Sequence, residues 1–118
     1  TKKKNGSIIN ISSTHGLVGL SGRTVYGISK GGMIQMTRML AIEWAKDNIR
    51  VNTISPATVM TESRQKSLDH LARKNMLNRI PLGKFPEDVD VADAALFLVN
   101  SKNITGQNIA VDGGLTAI

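Results

Sequence analysis

Tyr26 and Lys30 stand four residues apart in the stretch Tyr26-Gly27-Ile28-Ser29-Lys30. On a helix that spacing puts the phenol and the ammonium on one face, a single turn apart. An ammonium beside a phenol favours the phenolate, which makes a tyrosine usable as a general acid or base near neutrality. Ser13 lies thirteen residues before Tyr26, with His15 just after it. Taken singly, each of these residues has a plainer explanation. Ser13 is a turn serine by position alone, Tyr26 a packed aromatic with a satisfied hydroxyl, and His15 either a substrate contact or an ordinary loop histidine. Only the joint spacing of Ser13, Tyr26 and Lys30 turns the balance toward chemistry. His70 sits among polar residues without a matched partner, so no metal site is expected.

These residues need elements to position them. Gly6 to Ser13 reads GSIINISS, with Ile8, Ile9 and Ile11 in a short run bounded by Gly and Ser. Such a run suits a strand buried on both faces, as in parallel sheets. A loop rich in Gly, Ser and Thr follows over 14–23, then a long helical pattern from Thr24 to Asp47. Its apolar residues Ile28, Met33, Ile34, Met36, Leu40 and Trp44 occupy more than one stripe, which predicts packing on the sheet and on a second layer or subunit. The cluster of Met33, Met36 and Met39 fits core or interface packing. Val51 to Ser55 predicts a second strand, stopped by Pro56. A polar helix is expected over 62–79, anchored by Leu68, Leu71 and Met76, and broken at Pro81-Leu82-Gly83. Glu87 to Asn100 has Val91, Ala94, Ala95, Leu96 and Leu98 near helical spacing and carboxylates at its start, where the helix dipole favours them. Gln107 to Val111 predicts a third strand. Strand, helix, strand, helices, strand is the order of parallel crossovers. The expected fold class is α/β, one unit of three parallel strands of the open, doubly wound type, in which ligands gather beyond the C-terminal strand ends.

Composition narrows the function classes. The 118 residues amount to one domain or part of one. The formal charge of +6 comes from dispersed basic residues, and aromatics make up only 3% of the chain, which leaves no platform for base stacking, so nucleic acid is not an expected partner. There is no cysteine; disulfides and thiolate metal sites are excluded, and a reducing cytoplasm fits. No apolar run reaches the length of a membrane span, and no signal segment follows Thr1-Lys2-Lys3-Lys4, so no membrane partner is expected. A chain that opens on threonine is expected not to begin at its natural start.

Five ordered blocks together resemble the C-terminal half of a short-chain dehydrogenase/reductase. YGISK resembles that family's Tyr-x-x-x-Lys motif, and GSIINISS with Ser13 its preceding strand. NIRVNTISPATVMT (48–61) resembles its Asn-x-x-Pro-Gly-x-x-x-Thr loop, IPLGKF (80–85) its Pro-Leu-Gly-Arg turn, and ITGQNIAVDGG (104–114) its last strand. The resemblance implies an enzyme that interconverts an alcohol and a ketone with NAD or NADP. Tyr26 would be its acid/base, Ser13 would hydrogen-bond the substrate oxygen, and Lys30 would favour the phenolate and hold the nicotinamide ribose. Pro56, Val59 and Thr61 would contact the cofactor, Val59 through its backbone; Thr61 is equally suited to cap the helix after it. His15 is the remaining candidate for substrate contact. A small-molecule substrate and a homo-oligomer, dimer or tetramer, are implied as partners; a β-ketoacyl carrier-protein reductase and a sugar or polyol dehydrogenase both fit. Ala57 departs from the usual glycine, which would alter the loop's path. Gly27, Gly31 and Gly32 interrupt a helix where alanine is favoured by about 1 kcal/mol each, so another backbone or the cofactor is expected to approach closely there. The family's glycine-rich cofactor turn, and the residue that selects NAD or NADP, have no match in these residues. The competing expectation is therefore a truncated, non-catalytic half-domain that serves as an interaction or oligomerisation module.

Overall fold

The computed structural model describes residues 5–60, 66 and 69–117. Three parallel strands, β1 (Gly6–Ile11), β2 (Ile49–Pro56) and β3 (Asn108–Val111), lie in that order across one sheet. Between β1 and β2 runs α1 (Thr24–Trp44), and between β2 and β3 come α2 (His70–Asn78) and α3 (Asp88–Asn100). Gly6 is level with Ile49 and Ile11 with Ile54, while Thr53 is level with Asn108. The expected α/β class and parallel sheet are therefore present.

Side-chain bonds show on which face each helix lies. Asn10, level with Thr53, donates from Nδ2 to Thr37 Oγ1 of α1 at 3.0 Å. Arg50, three residues before Thr53, projects from the opposite face, since successive strand residues alternate. Its guanidinium donates to the carbonyls of Leu98, Val99 and Ser101 at 2.6, 2.9 and 2.6 Å. Helices α1 and α3 thus flank the sheet on its two sides. Arg50 is buried without a carboxylate among the described residues, and its positive charge sits on the carbonyl end of α3, where the helix dipole favours it.

Among the described strands β2 alone has neighbours on both sides, and Arg50 to Ser55 are all buried. Val51 and Ile54 supply its apolar packing; Asn52 is tied at both ends, donating to the Ile104 carbonyl and accepting from the Gln107 N–H, each at 3.0 Å. β1 differs from expectation. It is not buried on both faces: Ile11 is 45% exposed, because β1 is an edge strand and nothing in the described chain covers it.

Helix α1 ends earlier than predicted, tightening at Ala45–Asp47, and Asn48 (φ 58°) turns the chain into β2. An asparagine tolerates that left-handed conformation better than most residues. Of the two packed sides predicted for α1, the described chain supplies the one on the sheet. Ile34, Thr37 and Ala41 are buried against the sheet, whereas Val25 (80%), Ile28 (70%) and Ile42 (79%) are exposed together with Met36 and Met39. One apolar stripe has found its partner and the other has none among the described residues.

Of the helix predicted over 62–79, the described part is His70–Asn78, opened by Asp69, whose carboxylate accepts from the Ala72 N–H at 2.7 Å. Leu71 is no anchor, being 66% exposed, because the helix packs through Met76 and the following Ile80 instead. Leu68 lies outside the described residues. In α3 the packed face is Val91, Ala94, Ala95 and Leu98, at helical spacing; Leu96, two residues before Leu98, faces out, contrary to expectation. Its start is fixed by the Glu87 N–H donating to the Asp90 carboxylate at 2.8 Å. No helix among the described residues is long and apolar enough to cross a membrane.

Candidate active site

The site forms where β1 and β2 end, between the turn after β1 and the start of α1. Ser13 leaves β1 with extended backbone and opens a tight turn over Thr14–Gly16, its Oγ accepting from the His15 N–H at 3.1 Å. The same Oγ is 3.3 Å from His15 Nδ1. The His15 ring meets the Tyr26 ring edge-on, centroids 5.3 Å apart, a favourable aromatic geometry. Lys30 Nζ is 5.5 Å from the Tyr26 ring centroid and donates to the Ile11 carbonyl at 3.5 Å. Ser13 and His15 of the turn and Tyr26 and Lys30 of α1 therefore form one cluster. Ser13 is buried while Tyr26 is 42% exposed and faces the cleft.

Two contacts that the sequence did not reveal hold this cluster in place. The buried Ser12 donates from Oγ to the Lys30 carbonyl at 2.8 Å, tying the end of β1 to α1. Gly16 lies flat against the same turn of α1: a Cβ there would stand 2.8 Å from Gly31 N and from the Lys30 carbonyl carbon. The predicted close approach at the helix glycines is met at Gly27, where a Cβ would come 3.2 Å from the His15 carbonyl oxygen, and at Gly31, 3.4 Å from the Gly16 oxygen. It is not met at Gly32, which has no neighbour within 4 Å in this chain because it lies on the uncovered side of α1.

A cleft of about 860 Å³ opens beside Tyr26. Its floor includes Ser13 and His15, and the segment from Pro56 to Val59 forms one wall. Ala57 is buried and keeps an ordinary backbone conformation, its N–H donating to the Val111 carbonyl at 3.0 Å, so alanine in place of glycine costs nothing conformationally and extends the pairing of β2 with β3. Thr61 lies outside the described residues. At the far wall Gly113 and Gly114, both with positive φ, pack on Ile80 and Pro81, and the Leu82 N–H donates to the Gly113 carbonyl at 3.0 Å. Two segments matched separately in the sequence thus meet as one support for the cleft. Asp112 anchors that support. Burial pushes its carboxyl up, but bonds from the Thr116 hydroxyl and the N–H groups of Thr116 and Gly114 outweigh burial and hold it below its ordinary value. Only the spacing Asp112-Gly113-Gly114-Leu115-Thr116 hinted at this, and such spacing is common in turns.

A nicotinamide cofactor fits these residues. Lys30 brings an ammonium with three donors to the end of β1, one of them on the Ile11 carbonyl, and Pro56 and Val59 line the cleft that Tyr26 faces. Lys30 could hold ribose hydroxyls there, and the Pro56–Val59 wall could border the nicotinamide. Among the described residues no group of three or more His, Asp or Glu could hold a metal ion.

A buried serine, an exposed tyrosine and a lysine thus stand at the C-terminal strand ends of a parallel α/β sheet, where the ligands of doubly wound folds gather. Residues 1–116 match the family model described as enoyl-(acyl carrier protein) reductase, and the chain belongs to the short-chain dehydrogenase/reductase family. It is 46% identical over 114 residues to a 3-oxoacyl-(acyl-carrier-protein) reductase of Bos taurus, covering 97% of this chain and 46% of that protein. Among solved structures it resembles a putative 2-deoxy-d-gluconate 3-dehydrogenase of Agrobacterium tumefaciens with bound NADP, with a TM-score of 0.90 at 33% identity, covering 97% of this chain and 48% of the other. A putative short-chain alcohol dehydrogenase of Sinorhizobium meliloti is similar with a TM-score of 0.88 at 38% identity, covering 96% and 46%. The chain spans about half the length of the relatives it matches.

Proposed function

We propose that this chain supplies the catalytic side of an oxidoreductase that interconverts an alcohol and a ketone with NAD or NADP. The observation that carries the reading is the placement of Ser13 and Tyr26 at one cleft beside the Pro56–Val59 wall, with the Lys30 ammonium against the Tyr26 ring. The cofactor, when bound, supplies or accepts the hydride at the carbonyl carbon. Tyr26 gives its phenolic proton to the carbonyl oxygen on reduction and takes it back on oxidation. Ser13 donates a hydrogen bond to that oxygen as negative charge gathers there. Lys30 stabilises the phenolate left behind and holds the ribose. His15, against both Ser13 and the Tyr26 ring, positions them and borders the substrate. Pro56 and Val59, with Thr61 beyond them, complete the cofactor contacts.

Relatives that act on acyl and sugar-acid ketones suggest the substrate range, and a dimer or tetramer in the cytoplasm is the assembly we favour. The test is ketone-dependent oxidation of NADH or NADPH by the holoenzyme, with the alcohol identified as product. Consumption of cofactor without an alcohol, or no consumption with any ketone, contradicts the reading. The uncovered stripe of α1, with Val25, Ile28 and Ile42 exposed, favours one alternative, a non-catalytic half-domain whose role is association.

A further inference from the structure

Two arginines face the cleft from opposite elements. Arg23 immediately precedes α1, one turn before Tyr26, and Arg79 closes α2. Among the described residues neither guanidinium has a hydrogen bond or an ion pair, and none that lines the cleft is an aspartate or glutamate. Two guanidinium groups on one cleft, with no carboxylate beside them among the described residues, favour the entry of an anion. Between them the wall is apolar, formed by Leu20, Met76, Phe85 and Leu115.

From this arrangement we propose that the substrate is an anionic carbonyl compound, with a few apolar carbons between the ketone at Tyr26 and a carboxylate or phosphate at Arg23 and Arg79. The inference rests on the oxidoreductase reading above. Arginine suits the role because its planar fork pairs with both oxyanions in a bidentate manner. The cofactor's phosphates are the other source of negative charge, and the location argues against them. Arg23 also borders a second depression of about 320 Å³ with His15, Leu20 and Ile28, a depression that none of residues 56–59 touches. Arg23 thus borders both the cleft and a depression that the proposed nicotinamide wall does not reach.

The experiment compares three ketones of equal length in the holoenzyme: a keto acid, its methyl ester and the corresponding keto amine. The acid should exceed the ester in kcat/KM by about tenfold, as one charge-assisted hydrogen bond would give, and the amine should be the poorest. That preference should shrink as salt rises, since the arginines are exposed. In Arg23→Gln combined with Arg79→Gln the acid-to-ester ratio should fall to about one, with the Kd for NADH or NADPH unchanged. Equal use of acid and ester by the wild type overturns the proposal, and so does a double variant that loses cofactor affinity while keeping the acid preference. If no ketone is reduced, the oxidoreductase reading fails by itself. Calorimetric titration with butanoate and with inorganic phosphate then decides: binding abolished by the double substitution upholds the anion site, and no binding to the wild type overturns it.

Discussion

Tyr26 carries the heaviest chemical demand, and removing its hydroxyl alone isolates that demand. Tyr26→Phe keeps the ring against His15 and should lower kcat by about a hundredfold or more, the usual contribution of a general acid, while the Kd for cofactor should change by about twofold or less. A kcat close to wild type would remove Tyr26 from the mechanism. Lys30→Ala should reduce both rate and cofactor affinity, and Lys30→Met should restore neither, because the ammonium and not the alkyl stem is what both roles use; a variant with normal cofactor affinity would contradict the ribose contact. The glycines give a paired test. Gly16→Ala forces a methyl into the backbone of Lys30 and Gly31, and should cost about 1–3 kcal/mol of stability together with activity, since the displaced turn carries Ser13 and His15. Gly32→Ala meets no neighbour in this chain and should stabilise it by about 1 kcal/mol through helix propensity. Thermal unfolding of the two variants, which should move in opposite directions, checks the assignment.

Among the elements, the turn after β3 makes a pH-dependent prediction. Asp112 is held below its ordinary value of 3.8 by its bonds to Gly114 and Thr116. A carboxyl depressed in the folded state contributes stability that is fully present above its unfolded value and is lost as pH falls through its folded value. Acid unfolding should therefore steepen below about pH 4, the ordinary carboxyl range, and Asp112→Asn should remove that part of the curve; an unchanged acid limb would show that the turn does not depend on the charge. The order of strands and helices was legible in the sequence because β1, β2 and β3 carry short apolar runs bounded by turn residues, and α1 and α3 carry helical spacing. Ser13, Tyr26 and Lys30 were legible through their spacing. What escaped was whatever depends on the third dimension. Leu96 and Leu71 look like anchors until the neighbouring element selects which helix face is covered. Arg50 looks like a solvated charge in the sequence, yet it is buried because α3 ends beside β2 and presents three carbonyls to it. Gly16 looks like loop composition, and Arg23 and Arg79 become a pair only when α1 and α2 flank one cleft.

The molecule as a whole is unevenly finished. One side of α1 is packed on the sheet, while its other side and the outer edges of β1 and β3 have no partner among the described residues. Unpaired strand edges and contiguous apolar patches promote association, so the chain by itself should form dimers or larger species in light scattering coupled to size exclusion; a stable monomer would contradict this. The free edge has a consequence within β1 itself. The N–H groups of Gly6 and Ser12 donate to the carbonyls of Asn48 and Ile54, and in a parallel ladder the bonding residues alternate, so Ile8 and Asn10 also point at β2 while Ser7, Ile9 and Ile11 point away from it. In deuterated solvent the strand should then exchange its amides in two interleaved sets, slow at even positions and fast at odd ones. Adding a polypeptide that supplies a neighbouring strand should slow the odd set alone, which makes the three amides of Ser7, Ile9 and Ile11 a built-in reporter of whether the sheet has been extended.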